Sequence, residues 1–211
     1  MQTELLSLAG IIGALTIGVV SPGPSFVMVA RVAISTSRAR GIAASIGMGF
    51  GGVVFALAAL LGLQAVLVAV PALYAGLKVL GGLYLCYLGY RIFSGAKQPL
   101  HIDSNDGNKH TSVYGSLLLG LTTQVSNPKI AIVYASVFAA FLPSTFSAPF
   151  ALALLCAVFA VEAAWYSIVA LVLSSPAPRR VYLSCKAWVD RAAGLVMVSL
   201  GLRLITSAHR A

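Results

Sequence analysis

Two of the long apolar stretches in this chain are interrupted near their middles by proline-centred polar motifs, Ser21-Pro22-Gly23-Pro24 and Ser126-Asn127-Pro128-Lys129. No other feature narrows the fold as far. A proline inside a helix removes a backbone donor and clashes with the carbonyl one turn back. In lipid no water can satisfy the stranded groups, so a break belongs where protein or a watery cavity surrounds it. Two such breaks in corresponding halves of one chain point to a transporter's binding site.

Composition supplies the membrane. Hydrophobic residues make up 59% of the 211 and charged residues only 9%, against about 25% charged in a soluble domain. Six apolar stretches, at approximately 5–30, 42–64, 70–93, 114–141, 148–173 and 190–206, have the character of spanning helices, which need about 20 residues each. The opening stretch carries only Glu4 as an early charge and stays apolar through Phe26-Val27-Met28-Val29. It is therefore read as a retained helix rather than a cleaved leader. The expected fold is an all-α integral membrane protein with six transmembrane helices, arranged as two inverted three-helix repeats with helices 1 and 4 broken. One transmembrane domain, 1–211, divides into a first repeat (1–93), a cytoplasmic linker (94–113) and a second repeat (114–211).

The formal charge of +9 does not call for nucleic acid, because most of the cations lie between apolar spans. Arg31, Arg38 and Arg40 fall in the first connection, Arg91, Lys97 and Lys109 around the third, and Arg179, Arg180, Lys186 and Arg191 around the fifth. The second and fourth connections carry none. Positive charge stays inside, so the odd-numbered connections are placed in the cytoplasm and both termini outside. Arg203 and Arg210 vote against this, outnumbered. The halves also echo each other, with Gly82, Leu83, Leu88, Gly89 and Arg91 aligning with Gly194, Leu195, Leu200, Gly201 and Arg203. Halves with an odd number of spans must run in opposite directions across the membrane.

At the first break, Pro22, Gly23 and Pro24 strand carbonyls before the break and expose N–H groups where the helix restarts near Ser25. Free N–H groups favour an anion and orphan carbonyls a cation, and a zwitterion needs both. A simple proline kink repaired by the Ser21 or Ser25 hydroxyl is the plainer alternative. At the second break, Asn127 and Lys129 flank Pro128, with Gln124 just before. A lysine at membrane depth costs about 2.5–3.5 kcal/mol on insertion scales, so it should face the bundle interior and find a partner. That partner is either a substrate carboxylate or an acid that locks helices together. Glu162 is the one acid well inside a span, with Trp165 and Tyr166 on its helical face. It is a candidate proton carrier or amine ligand, or half of a static pair with Lys129. Tyr84 is a candidate pore-lining hydroxyl, although the Tyr84, Tyr87 and Tyr90 series also suits plain packing. Lys78 is expected to snorkel, and Arg91 to anchor a span end. Ala43, Gly47 and Gly51 form a small-residue stripe for close packing within the chain. Cys86, Cys156 and Cys185 are scattered and read as buried, inert thiols, and the three histidines lie in loops or the tail. No metal site or cofactor is expected.

The ordered set of Pro22-Gly23-Pro24, Arg38 with Gly41, Gly47 and Gly51, Lys78 with Gly81, Tyr84-Leu85 and Leu88-Gly89, and Asn127-Pro128-Lys129 resembles the lysine exporter superfamily of LysE/RhtB type. These are small bacterial inner-membrane exporters. The resemblance covers most of the chain and implies export of an amino acid or related metabolite, energised by the proton motive force. Its branches handle basic, hydroxylated and branched-chain amino acids, so the substrate stays open. Export of another solute or a metal cation, or a passive channel, remains the alternative. The chain has no HExxH, GxSxG or paired-carboxylate motif in its spans, and no enzyme is expected. The expected partners are an amino acid, protons and the lipid bilayer, with a homo-oligomer left open. The substrate residues expected are Ser21, Pro22, Gly23, Pro24, Ser25, Tyr84, Gln124, Asn127, Pro128 and Lys129, with Glu162 for proton coupling or the amine.

Overall fold

A computed structural model describes residues 2–69, 71–98, 112–143 and 145–208, and the side chains of 63–75, 77, 78, 176, 178, 179, 207 and 208 are not among those described. The Lys78 side chain, the linker residues 99–111 and His209 therefore lie outside the described residues.

Both breaks fall at the motifs. Helix α1 (Gln2–Val20) stops and α2 (Pro24–Ser35) restarts with proline in its first turn. Helix α5 (Val113–Val125) stops, and α6 (Pro128–Phe141) restarts in the same way. Asn127 precedes a proline, which disfavours helical backbone there, and it is extended at φ −84°, ψ 108°. After each broken pair come two long helices, α3 (Arg38–Ala69) and α4 (Pro71–Gly95), then α7 (Ala148–Leu173) and α8 (Pro176–Ala208). Over α1, residues 38–62 of α3, and α7, the described helices are long and apolar enough to cross a membrane. Leu61, Leu152, Ile168 and Leu195 are exposed, as lipid-facing side chains would be. The sixth apolar stretch lies in a helix that begins earlier than the sequence indicates. Helix α8 starts at Pro176, so Asp190 lies within a helix instead of at its edge.

Small residues set the packing. A Cβ at Gly47 would run into the Leu117 carbonyl of α5, and one at Gly120 into the Ala44 carbonyl of α3. The stripe on α3 thus serves contact within the chain. Helices α4 and α8 are zipped at two levels: Gly82 lies on the Gly201 carbonyl and Gly89 on that of Gly194, and each approach is reciprocated. The thiols differ from expectation. Cys156 and Cys185 are exposed and Cys86 is half-buried, because the helix faces that carry the first two are not covered by other helices.

Side-chain bonds sort the two ends of the bundle. Arg38 donates to Ser174 and Ser175, and Lys186 to the Ala96 carbonyl. The first, third and fifth connections therefore gather at one end. Glu4 accepts from the Ser147 amide, bringing the start of α1 to the fourth connection at the other end. Two apolar clusters fill the interior, one around Ile11, Leu15, Phe138 and Leu154, the other around Phe26, Met48 and Val169. On α7, Glu162 lies between Val158 of the first cluster and Tyr166 of the second. A polar layer thus separates two apolar ones.

Candidate functional site

The polar layer is a chain of hydrogen bonds that begins at the second break. Asn127 caps α6 by accepting from the Lys129 amide through Oδ1 at 3.0 Å. Its Nδ2 donates across to Ser25 Oγ at 2.8 Å. Ser25 donates to Gln124 Oε1 at 2.8 Å, and Gln124 Nε2 donates to Glu162 Oε2 at 2.9 Å. Tyr134 closes the far end by donating to Glu162 Oε1 at 2.8 Å. Ser25, Gln124, Asn127, Tyr134 and Glu162 are all buried. An uncompensated buried polar group is costly, and every member here has a partner. Gly52 makes room for the end of the chain, since a Cβ there would come within 2.9 Å of both Glu162 Cγ and the Tyr134 hydroxyl.

Lys129 takes a different direction. Its Nζ donates to the Ser21 carbonyl at 2.9 Å, a carbonyl that the first break deprives of a helical partner. The same ammonium overhangs the start of α2, where a Cβ built on Gly23 would be 3.5 Å from Nζ. Gly23 is the N-cap of α2 and provides no side-chain cap. A cation thus lies beside an uncapped helix N-terminus and in the first turn of its own helix.

Below the breaks is a cavity of about 480 Å³, a size suited to a small molecule (roughly 300–1,000 Å³). Pro22, Gly23, Pro24, Asn127, Pro128 and Lys129 form part of its wall. Tyr84 and Arg91 line it from α4, and Lys186 and Asp190 from α8. Gly95 and Gln98 also line it, so it reaches the end of the bundle where the odd-numbered connections gather. A larger pocket around Glu4 and Phe150 lies at the opposite end, away from both breaks.

The sequence-expected residues separate into two groups. Pro22, Gly23, Pro24, Tyr84, Asn127, Pro128 and Lys129 come together on the cavity wall. Ser25, Gln124 and Glu162 lie behind it in the dry layer, and Asn127 belongs to both. Ser21 is buried, with no hydrogen-bond partner for its hydroxyl among the described residues and its carbonyl on Lys129. Glu162 and Lys129 are not bonded to each other; Glu162 takes Gln124 and Tyr134 instead. Arg91, expected as an anchor, is part of the cavity wall and lies over the Tyr87 ring at 5.9 Å. Sequence reasoning missed Tyr134, a lone tyrosine in an apolar run. It also missed the Lys186–Asp190 pair, bonded at 2.7 Å, whose i,i+4 spacing was a usable signal.

Comparison with known proteins places this arrangement in a family. The family model described as LysE type translocator matches residues 16–208. The "Threonine efflux protein" of Salmonella typhi is 33% identical over 192 residues, covering 90% of this chain and 93% of that protein. Its namesake in Escherichia coli K12 is 32% identical with the same coverage. An "Uncharacterized membrane protein" of Haemophilus influenzae is 31% identical over 89% of this chain and 90% of its own length. No solved structure matches.

Proposed function

The chain belongs to the LysE type translocator family, and from that premise we propose that it exports a small neutral amino acid of the threonine class across the bacterial inner membrane. The observation that carries this reading is the Lys129 ammonium at the uncapped start of α2 and in the first turn of α6. Helix N-termini are positive ends, and a cation added to two of them calls for an anion between. An amino acid's α-carboxylate fits. Arg91, Lys129 and Lys186 outnumber Asp190 on the wall, so a cationic side chain such as lysine's is disfavoured there.

Transport then follows alternating access. The odd-numbered connections are cytoplasmic and both termini outside, as the cation distribution suggests, so the cavity faces the cytoplasm. The crosswise glycine contacts of α4 and α8 support an inverted repeat. Gly82 aligns with Gly194 and Gly89 with Gly201, yet Gly82 touches Gly201 and Gly89 touches Gly194. A two-fold axis through that interface produces this crossing, and rocking of one repeat against the other would close the cavity on one side. Glu162 carries the coupling proton. The Asn127–Ser25–Gln124 bonds link its carboxylate to the cavity wall, so a change in cavity occupancy alters the donors around it.

Cells lacking their own exporters, loaded with threonine-containing dipeptides, test this directly. Expression should speed threonine appearance outside, with lysine little affected, and an uncoupler should suppress the gain. Unchanged efflux of every amino acid, with the protein verified in the membrane, would overturn the reading.

A further inference from the structure

The cavity has an acidic site that the two breaks do not explain. Asp190 is 5% exposed and Lys186 8% exposed, and both line the cavity. Oδ2 of Asp190 accepts from Lys186 Nζ at 2.7 Å. Oδ1 is buried and accepts from no described protein donor. Lys186 gives a second bond, at 3.4 Å, to the Ala96 carbonyl where α4 ends. An ion pair required only to fasten helices would be expected to satisfy both carboxylate oxygens, since a bare buried oxygen is costly. One wall thus offers a cation beside a helix start, and the facing α8 offers a half-satisfied carboxylate.

We infer that Asp190 binds the α-ammonium of the substrate and that Lys186 is its internal stand-in, holding the carboxylate until an amino acid displaces it. This rests on the exporter reading and adds the residue that reads the amine. Substrate α-carboxylate goes to Lys129 and the start of α2, α-ammonium to Asp190. The Lys186 ammonium, once released, keeps the Ala96 carbonyl and remains at the cavity mouth. Glu162, expected as either a proton carrier or an amine ligand, has both oxygens occupied by protein donors and is left to the proton.

The test is calorimetric binding to purified protein of L-threonine and of 3-hydroxybutyrate, the same molecule with hydrogen in place of the ammonium. Wild-type protein should prefer threonine by about tenfold to a hundredfold, the range of a hydrogen bond to a charged group. Asp190→Asn should lose that preference, and Asp190→Glu should regain part of it. The double variant Lys186→Gln/Asp190→Asn removes the buried charges together and guards against simple misfolding. Restored preference in it would mean that the pair is only structural, and would overturn the assignment. Wild-type preference in Asp190→Asn would overturn it equally, with the exporter reading intact. Absence of threonine binding and efflux in the wild type would instead remove the exporter reading, and this assignment with it.

Discussion

The two helix breaks share a proline and a place in the fold, but their provisions are unequal. The second supplies its own cap, since Asn127 bonds the Lys129 amide. It also sends two side chains across the gap: Asn127 to Ser25 and Lys129 to the Ser21 carbonyl. The first has glycine at its N-cap and no side-chain cap. One break is furnished and the other bare, and the furnished one completes the bare one. The asymmetry leaves the start of α2 without a side-chain cap and places a cation beside it from the opposite half. On the proposed reading, a side-chain cap at the first break would compete with a substrate carboxylate for the start of α2.

The comparison is broken most severely at Asn127. Asn127→Ala removes a helix cap (about 0.5–2 kcal/mol) and the donor to a buried serine (about 1–3 kcal/mol). Thermal unfolding in detergent should show a clear loss of stability, and efflux should fall with it. Unchanged stability would mean that neither the cap nor the bond to Ser25 contributes. Lys129→Met comes next. It strands the Ser21 carbonyl, a cost of about 1–3 kcal/mol if no other donor moves in, and should weaken threonine binding while leaving the α6 cap intact. Binding that survives Lys129→Met would detach the carboxylate from this site.

Glu162→Gln keeps the shape of the buried chain but removes the ionisable proton. Threonine exchange across proteoliposomes should persist, whereas net efflux should lose its response to an uncoupler. A variant that stays uncoupler-sensitive would move proton coupling elsewhere. The smallest effect is also the sharpest. The backbone at Gly23, φ −156° and ψ −170°, is extended, and an added Cβ would make only ordinary contact with Lys129 Cδ at 3.4 Å. Gly23→Ser therefore fits and gives α2 the N-cap hydroxyl it lacks. Serine and glycine caps differ by only a few tenths of a kcal/mol, so unfolding should shift slightly upward. Transport should slow if the start of α2 holds the substrate carboxylate as proposed, because the new hydroxyl competes for the same N–H groups.

The breaks were legible in sequence because proline acts locally: Pro24 and Pro128 end one helix and begin another whatever surrounds them. Gly47, as part of the small-residue stripe, was legible for the same reason, although its contact on α5 was not. What the sequence concealed was partnership. A pair of Glu162 with Lys129, an acid and a base at membrane depth, was one of the alternatives left open. Gln124 and Tyr134 reach the carboxylate first, and that depends on where α5 and α6 place them beside α7. Asp190 was hidden by a boundary. The polar residues from Arg179 to Arg191 resemble a loop, but α8 runs through them and buries Lys186 and Asp190 against the cavity. Charged residues lower the apparent apolarity of a helix even where they point inward.

The most direct measurement of the central claim, that the bare break and Lys129 hold a carboxylate, is calorimetric binding of L-threonine against 1-amino-2-propanol, the same amine without the carboxylate. Wild-type protein should bind threonine and leave the amine essentially unbound, and Lys129→Met and Gly23→Ser should each narrow that gap. Equal affinity for the two molecules in the wild type would contradict the claim, whatever the efflux assays show.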